Sequence, residues 1–215
     1  MLGIIVLATA LFGDASAAPS MRAALTATYA VRDLGALDLS PDGRVVAWEE
    51  TSHDTHRLGV QRRNALYLQR VDGGARERLT AGSAAGTYDE EGPVWSPDGR
   101  RIAFLSDARS PGQLQLFVAD SRGARMRQIG ALNGDVQRLT WAPDGKALAF
   151  LYIAAARRQA GALAPGARDV GVIGTVVDEQ RLTTIDVAGG AMRAITPSDT
   201  YVYEYGWAPD GRHIA

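Results

Sequence analysis

Short apolar runs recur along this chain, each entered through the same polar phrase. Val45-Val46-Ala47-Trp48 follows Leu39-Ser40-Pro41-Asp42-Gly43-Arg44, and Ile102-Ala103-Phe104-Leu105 follows Trp95-Ser96-Pro97-Asp98-Gly99-Arg100. Leu148-Ala149-Phe150-Leu151 follows Trp141-Ala142-Pro143-Asp144-Gly145-Lys146, and Ile214-Ala215 follows Trp207-Ala208-Pro209-Asp210-Gly211-Arg212. The phrase has the chemistry of a tight turn. Proline presets φ for the first corner, aspartate bonds back to nearby N–H groups, and glycine takes a left-handed conformation costly to other residues. A large residue before the turn and apolar residues after it suit a half-buried antiparallel pair. Each copy therefore predicts a hairpin between the first two strands of a repeating unit.

A second, looser pattern follows each hairpin. Ala65-Leu66-Tyr67-Leu68 leads through Gly73-Gly74 to Arg78-Leu79-Thr80, and Leu114-Gln115-Leu116-Phe117-Val118 leads through Gly123 to Arg127-Gln128-Ile129. Leu182-Thr183-Thr184-Ile185-Asp186-Val187 leads through Gly189-Gly190 to Arg193-Ala194-Ile195-Thr196. Four strands per unit, with a glycine turn in each half, predict an all-β chain of β-propeller blades. The units are expected at residues 33–80, 92–129 and 136–196, with the start of a fourth at 201–215. The fourth stops inside its second strand, which would leave an edge unpaired. The chain is accordingly expected to be part of a longer protein.

The first residues read differently. Leu2 to Phe12 is apolar and Ala15-Ser16-Ala17 is small, the pattern of a secretory signal peptide over residues 1–17 without its usual basic start. A short membrane anchor or a core strand is the alternative, although the run is shorter than the roughly 20 residues that span a bilayer. Residues 18–32 form an alanine-rich lead-in that could pack as a short helix. Export to the periplasm or beyond is the expectation. The chain has no cysteine, which removes disulfides, lipid attachment through sulfur and thiolate-ligated metals. A net charge of −1 offers no electrostatic footprint for nucleic acid or an anionic membrane.

Candidate chemistry is sparse. His53 and His56, beside Arg57, Arg62 and Arg63, sit in a polar connection from Glu49 to Asn64 that reads as a solvated loop, with no third ligand to make a metal site. Tyr88-Asp89-Glu90-Glu91, in the connection from Ala81 to Pro93, could hold a cationic group, but reads first as a charged loop at the rim. The stretch at 152–180 is a long insertion, carrying Arg157-Arg158 and Gly171-Val172-Ile173-Gly174. It is placed either to set specificity or to pack against a neighbouring domain. The arginine pair could bind a carboxylate or simply be solvated. The glycine pattern lacks the lysine and the helix of a phosphate loop.

The repeated Trp-Ser/Ala-Pro-Asp-Gly-Arg/Lys phrase resembles the propeller repeat of TolB-like proteins and of the prolyl oligopeptidase family of serine peptidases. The latter includes dipeptidyl and acylaminoacyl peptidase branches. Uneven spacing, with phrase prolines at 41, 97, 143 and 209, is similar to the peptidases. So are the entry into the first turn and the stretch from Val170 to Trp207. That resemblance implies a propeller that gates peptide substrates for a C-terminal α/β-hydrolase domain carrying a Gly-x-Ser-x-Gly elbow and later Asp and His. No such elbow occurs in this chain. Ser83, in Gly82-Ser83-Ala84-Ala85-Gly86, has the wrong spacing, and His213 stands two residues from the last. No catalytic residue, cofactor or metal ligand is therefore assigned, and the chain alone is expected to be inactive. Glu90-Glu91 superficially resembles the glutamate pair that dipeptidyl peptidases use for a substrate's amino terminus, but lacks the flanking pattern. The alternative implied by the TolB likeness is a periplasmic protein-interaction scaffold without chemistry.

Overall fold

The computed structural model describes residues 33–56, 59–83, 85–86, 88–156 and 179–215, without the side chains of 53–62. The expected leader and lead-in (1–32), and residues 157–178 of the insertion with Arg157 and Arg158, lie outside them. The described residues form strands, turns and bends with no helix. Strands β1 (Asp33–Leu39), β2 (Val45–His56), β3 (Gly59–Arg70) and β4 (Glu77–Leu79) make one antiparallel sheet. A second comprises β5 (Glu90–Trp95), β6 (Arg101–Ser106), β7 (Gln115–Asp120) and β8 (Arg127–Gln128). The third comprises β9 (Gly134–Trp141), β10 (Ala147–Ala154), β11 (Gln180–Asp186) and β12 (Met192–Ala194). In each, strands pair in chain order, as meandering propeller blades do. Beyond them, the fourth phrase closes with a bridge between Trp207 and Ile214.

The turn phrase folds as its chemistry predicts. Gly43 N–H donates to the Ser40 carbonyl at 2.8 Å, as Gly99 does to Ser96. Ser40 Oγ donates to Asp42 Oδ1 at 2.6 Å and accepts from Val45 N–H at 2.9 Å. Ser96 makes the same pair of bonds, to Asp98 at 2.6 Å and from Arg101 N–H at 2.9 Å. Ala142 and Ala208 lack that hydroxyl, yet Asp144 and Asp210 still accept from the N–H two residues on, both at 2.9 Å. All four phrase glycines are left-handed, with φ from 66° to 71°.

Alternation along the strands then builds the cores between sheets. Ile102 and Phe104 of β6, with Phe117 and Ala119 of β7, face Ala47, Leu66, Leu68 and Leu79 of the first sheet. The residues between them, Ala103, Leu105, Leu116 and Val118, face Trp141, Leu148, Phe150 and Ile185 of the third. Both faces of β6 are thus covered, which is why it reads as a continuous apolar run. Fully buried Phe104 and Phe117 stack at 5.9 Å, and each side chain of this kind contributes about 1.5–3 kcal/mol through burial. The third sheet's far face packs Ala149, Leu151 and Leu182 against Val202, Tyr205, Trp207 and Ile214.

Two polar stretches depart from the loop expectation. Glu49 to Asn64 is not a loop: β2 and β3 pair continuously from Val45–Arg70 to His56–Gly59. A ladder is held by backbone bonds, whatever the polarity of its side chains. Thr51 Oγ1 donates to Asn64 Oδ1 at 2.8 Å, with both residues buried. His53, His56 and Arg62 occupy this hairpin by backbone, but their side chains, and all of Arg57, fall outside the description. Likewise Glu90 and Glu91 belong to β5 rather than to the preceding loop.

Candidate functional site

The first strands of the three sheets lie side by side, β5 packing against both β1 and β9. Each is interrupted by a register shift a few residues before its turn, between Leu34 and Leu37, between Glu91 and Val94, and at Arg138 opposite the step from Ala149 to Leu151. A bulge kinks the strand and opens space beside it. The second sheet uses Gly92 there (φ 62°) and the third uses Arg138 (φ 56°), a conformation costing a side-chain-bearing residue about 1–2 kcal/mol. Along these three strands runs a groove of about 550 Å³ whose wall includes Asp38, Pro93, Val94, Trp95, Arg138 and Trp141.

Two tryptophans anchor the wall. Trp141 Nε1–H donates to the Val94 carbonyl at 3.0 Å, tying β9 to β5. The Arg101 guanidinium stands 4.8 Å from the Trp141 ring and donates to the Gly145 carbonyl at 2.7 Å. Trp95 is buried, and its Nε1–H has no partner among the described residues. Tyr205 plugs the bulge of the third sheet. Its hydroxyl donates to the Ala149 carbonyl at 2.6 Å, meets the Arg138 carbonyl, and lies 2.9 Å from Thr140 Oγ1. Burial pushes the phenol pKa up to about 12, partly offset by the Thr140 bond, so it remains a neutral donor.

Asp38 is the charged group of the first strand in this groove. Its Oδ2 accepts the Trp95 N–H at 2.6 Å across the sheet boundary. Burial raises its pKa, and bonds from the Trp95 and Leu39 N–H groups offset part of that rise. Among the described residues no cation lies within ion-pair distance of it.

The acidic residues singled out in the sequence serve another purpose. Glu90 is fully buried and accepts from Arg78 Nη2 at 2.6 Å, Thr80 Oγ1 at 2.8 Å, Ala81 N–H at 3.0 Å and Ser106 Oγ at 3.1 Å. It pins the connection between the first two sheets and is not open to a ligand. Asp89 N–H is held by Asp107 Oδ1 at 2.8 Å, and the Tyr88 hydroxyl accepts from Ser83 N–H at 3.3 Å. Those Ser83 bonds lower the Tyr88 pKa. Ser83 and His213 are not brought together as a nucleophile and base: His213 Nδ1 lies 2.9 Å from Asp210 Oδ2 on an exposed turn. Among the described residues no three His, Asp or Glu side chains gather as a metal site, and no helix is long and apolar enough to cross a membrane. Asp38 was legible only by aligning the four phrases, where the residue before the large turn residue is Asp38, Val94, Thr140 and Gly206.

No family model matches the chain. It is 39% identical over 62 residues to the Tol-Pal system protein TolB of Zymomonas mobilis, a match covering 29% of this chain and 12% of that protein. In structure it is similar to TolB from Acinetobacter baumannii, with a TM-score of 0.50 and 20% identity over 84% of this chain and 36% of that one. It is also similar to the β-propeller domain of the Trilobed protease from Pyrococcus furiosus, with a TM-score of 0.53 and 17% identity over 83% of this chain and 46% of that one. The chain therefore spans less than half the length of each, and the shared property is the β-propeller fold.

Proposed function

We propose that this chain is the substrate-gating propeller region of an exported prolyl oligopeptidase-family serine peptidase, working with a C-terminal α/β-hydrolase domain that supplies peptide-bond hydrolysis. The observation carrying the proposal is the groove along β1, β5 and β9. It is lined by Pro93, Val94, Trp95, Leu139 and Trp141, with few charges, and is of a size to receive extended polypeptide. A groove of this kind supplies binding surface, which fits a filter placed before a separate catalytic centre. The uneven spacing of the turn phrases supports the peptidase side of the likeness. The local identity to TolB supports a second reading, a periplasmic interaction scaffold whose groove holds a protein partner.

Reading the coding sequence past Ala215 separates the two. Further blades followed by a Gly-x-Ser-x-Gly elbow and later Asp and His support the peptidase, and the full-length protein should then react with a serine-directed fluorophosphonate probe. Further repeats ending without an elbow would refute it in favour of the scaffold.

A further inference from the structure

Two deeply buried carboxylates show how this molecule treats an acid taken out of water. Glu90 is matched by Arg78 at 2.6 Å and Glu50 by Arg76 at 2.5 Å. The aspartates of the outer turns also sit near cations, Asp42 near Arg44 at 4.0 Å and Asp144 near Lys146 at 3.9 Å, although water already solvates them. Among the described residues Asp38 lacks such a partner, as do the partly buried Asp107, Asp120 and Asp135, but of these four Asp38 is the one in the wall of the groove. It is half-buried in the wall of the groove, is fixed by the Trp95 N–H at 2.6 Å, and has no protein cation within ion-pair distance among the described residues. Arg138, the arginine in the same wall, instead directs Nη1 toward the Tyr203 carbonyl at 3.5 Å.

We infer that Asp38 is a recognition point for a positively charged group carried by a polypeptide lying in the groove. The inference rests on the proposed polypeptide-binding role and adds its chemistry. A carboxylate half removed from water without a counter-ion is destabilised, and an incoming ammonium or guanidinium relieves that cost while gaining a charge-assisted bond. The Trp95 N–H holds Oδ2 and orients the carboxylate, which keeps acceptor capacity for the ligand beyond the bonds from the Trp95 and Leu39 N–H groups. Around it, Leu37, Val94, Trp95 and Trp141 provide an apolar bed for the methylene stem or backbone behind the charge. The cation could be a free α-amino terminus or a lysine or arginine side chain, and the chemistry is the same for both.

Three short peptides titrated into the full 215-residue chain by calorimetry test this. One is an alanine tripeptide blocked at both ends, one is the same peptide with a free amino terminus, and one is blocked with a central lysine. At low salt at least one charged peptide should bind about ten-fold or more tightly than the neutral one, the scale of a charge-assisted hydrogen bond. Which charged peptide gains identifies the source of the cation. Asp38→Asn should erase the preference while retaining the neutral affinity, because an amide oxygen can still accept the Trp95 N–H. The preference on the unaltered chain, and its collapse at high salt, are read without any variant. Equal binding of all three, or a preference surviving Asp38→Asn, overturns the inference and leaves the groove reading standing. Failure of every peptide to bind overturns both.

Discussion

Replacing Glu90 by alanine is the sharpest test of how this molecule is held together. Its carboxylate is fully buried and accepts four bonds, one from Arg78 and three from Thr80, Ala81 and Ser106. The Arg78 side chain is itself only 19% exposed. Removing the acid leaves a largely buried guanidinium without a counter-ion and three donors without an acceptor, a class of change that costs about 3–5 kcal/mol. Glu90→Gln keeps the volume and an oxygen for the three neutral donors but turns an NH2 toward Arg78, so it should cost less, about 1.5–3 kcal/mol. Removing both charges with Glu90→Leu and Arg78→Met should cost less than the sum of the single changes, since no charge is stranded. The readout is urea unfolding followed by tryptophan fluorescence, which the four tryptophans make practical. A loss below about 1 kcal/mol for Glu90→Ala, or strict additivity in the double variant, would refute the network as a determinant of stability.

Other consequences follow from single contacts. Gly99→Ala should destabilise by about 1–2 kcal/mol from left-handed strain alone, because its added methyl would meet Pro41 Cδ no closer than 3.5 Å; an unchanged urea midpoint would contradict it. Tyr205→Phe should cost about 1–3 kcal/mol by leaving the Ala149 and Arg138 carbonyls short of a donor, again read as a shift in the urea midpoint. Asp38→Asn should leave stability unchanged or raised near pH 7 and make no gain in strong acid. The Asp38 pKa is raised in the folded state, so its ionised form works against folding above that pKa, and the penalty disappears as protonation occurs on lowering the pH. Thermal melts at pH 7 and pH 3 that show the opposite order would contradict the assignment.

A striped, repeated local pattern carried most of this architecture. The Pro-Asp-Gly phrase encodes its own turn, because proline, a short acceptor side chain and a left-handed glycine act within six residues. The runs after it encode strands whose alternate residues, as in Ile102-Ala103-Phe104-Leu105, divide between two cores. Those properties need no knowledge of distant residues. What the sequence could not reveal was the use of polar side chains. Glu49 to Asn64 looks like a loop in composition yet forms a long hairpin, since pairing depends on backbone partners across the sheet. Glu90-Glu91 looks like a surface charge cluster, yet Glu90 is inside because Arg78, Thr80 and Ser106 converge on it from separate strands and turns. Asp38 looks like one more polar residue before a turn. Only the approach of β5 to β1 buries it against the Trp95 N–H and brings it into the same groove as Arg138. Local chemistry set the turns and strand alternation, while burial and charge pairing, being properties of residues far apart in the chain, were decided by the packing of the sheets.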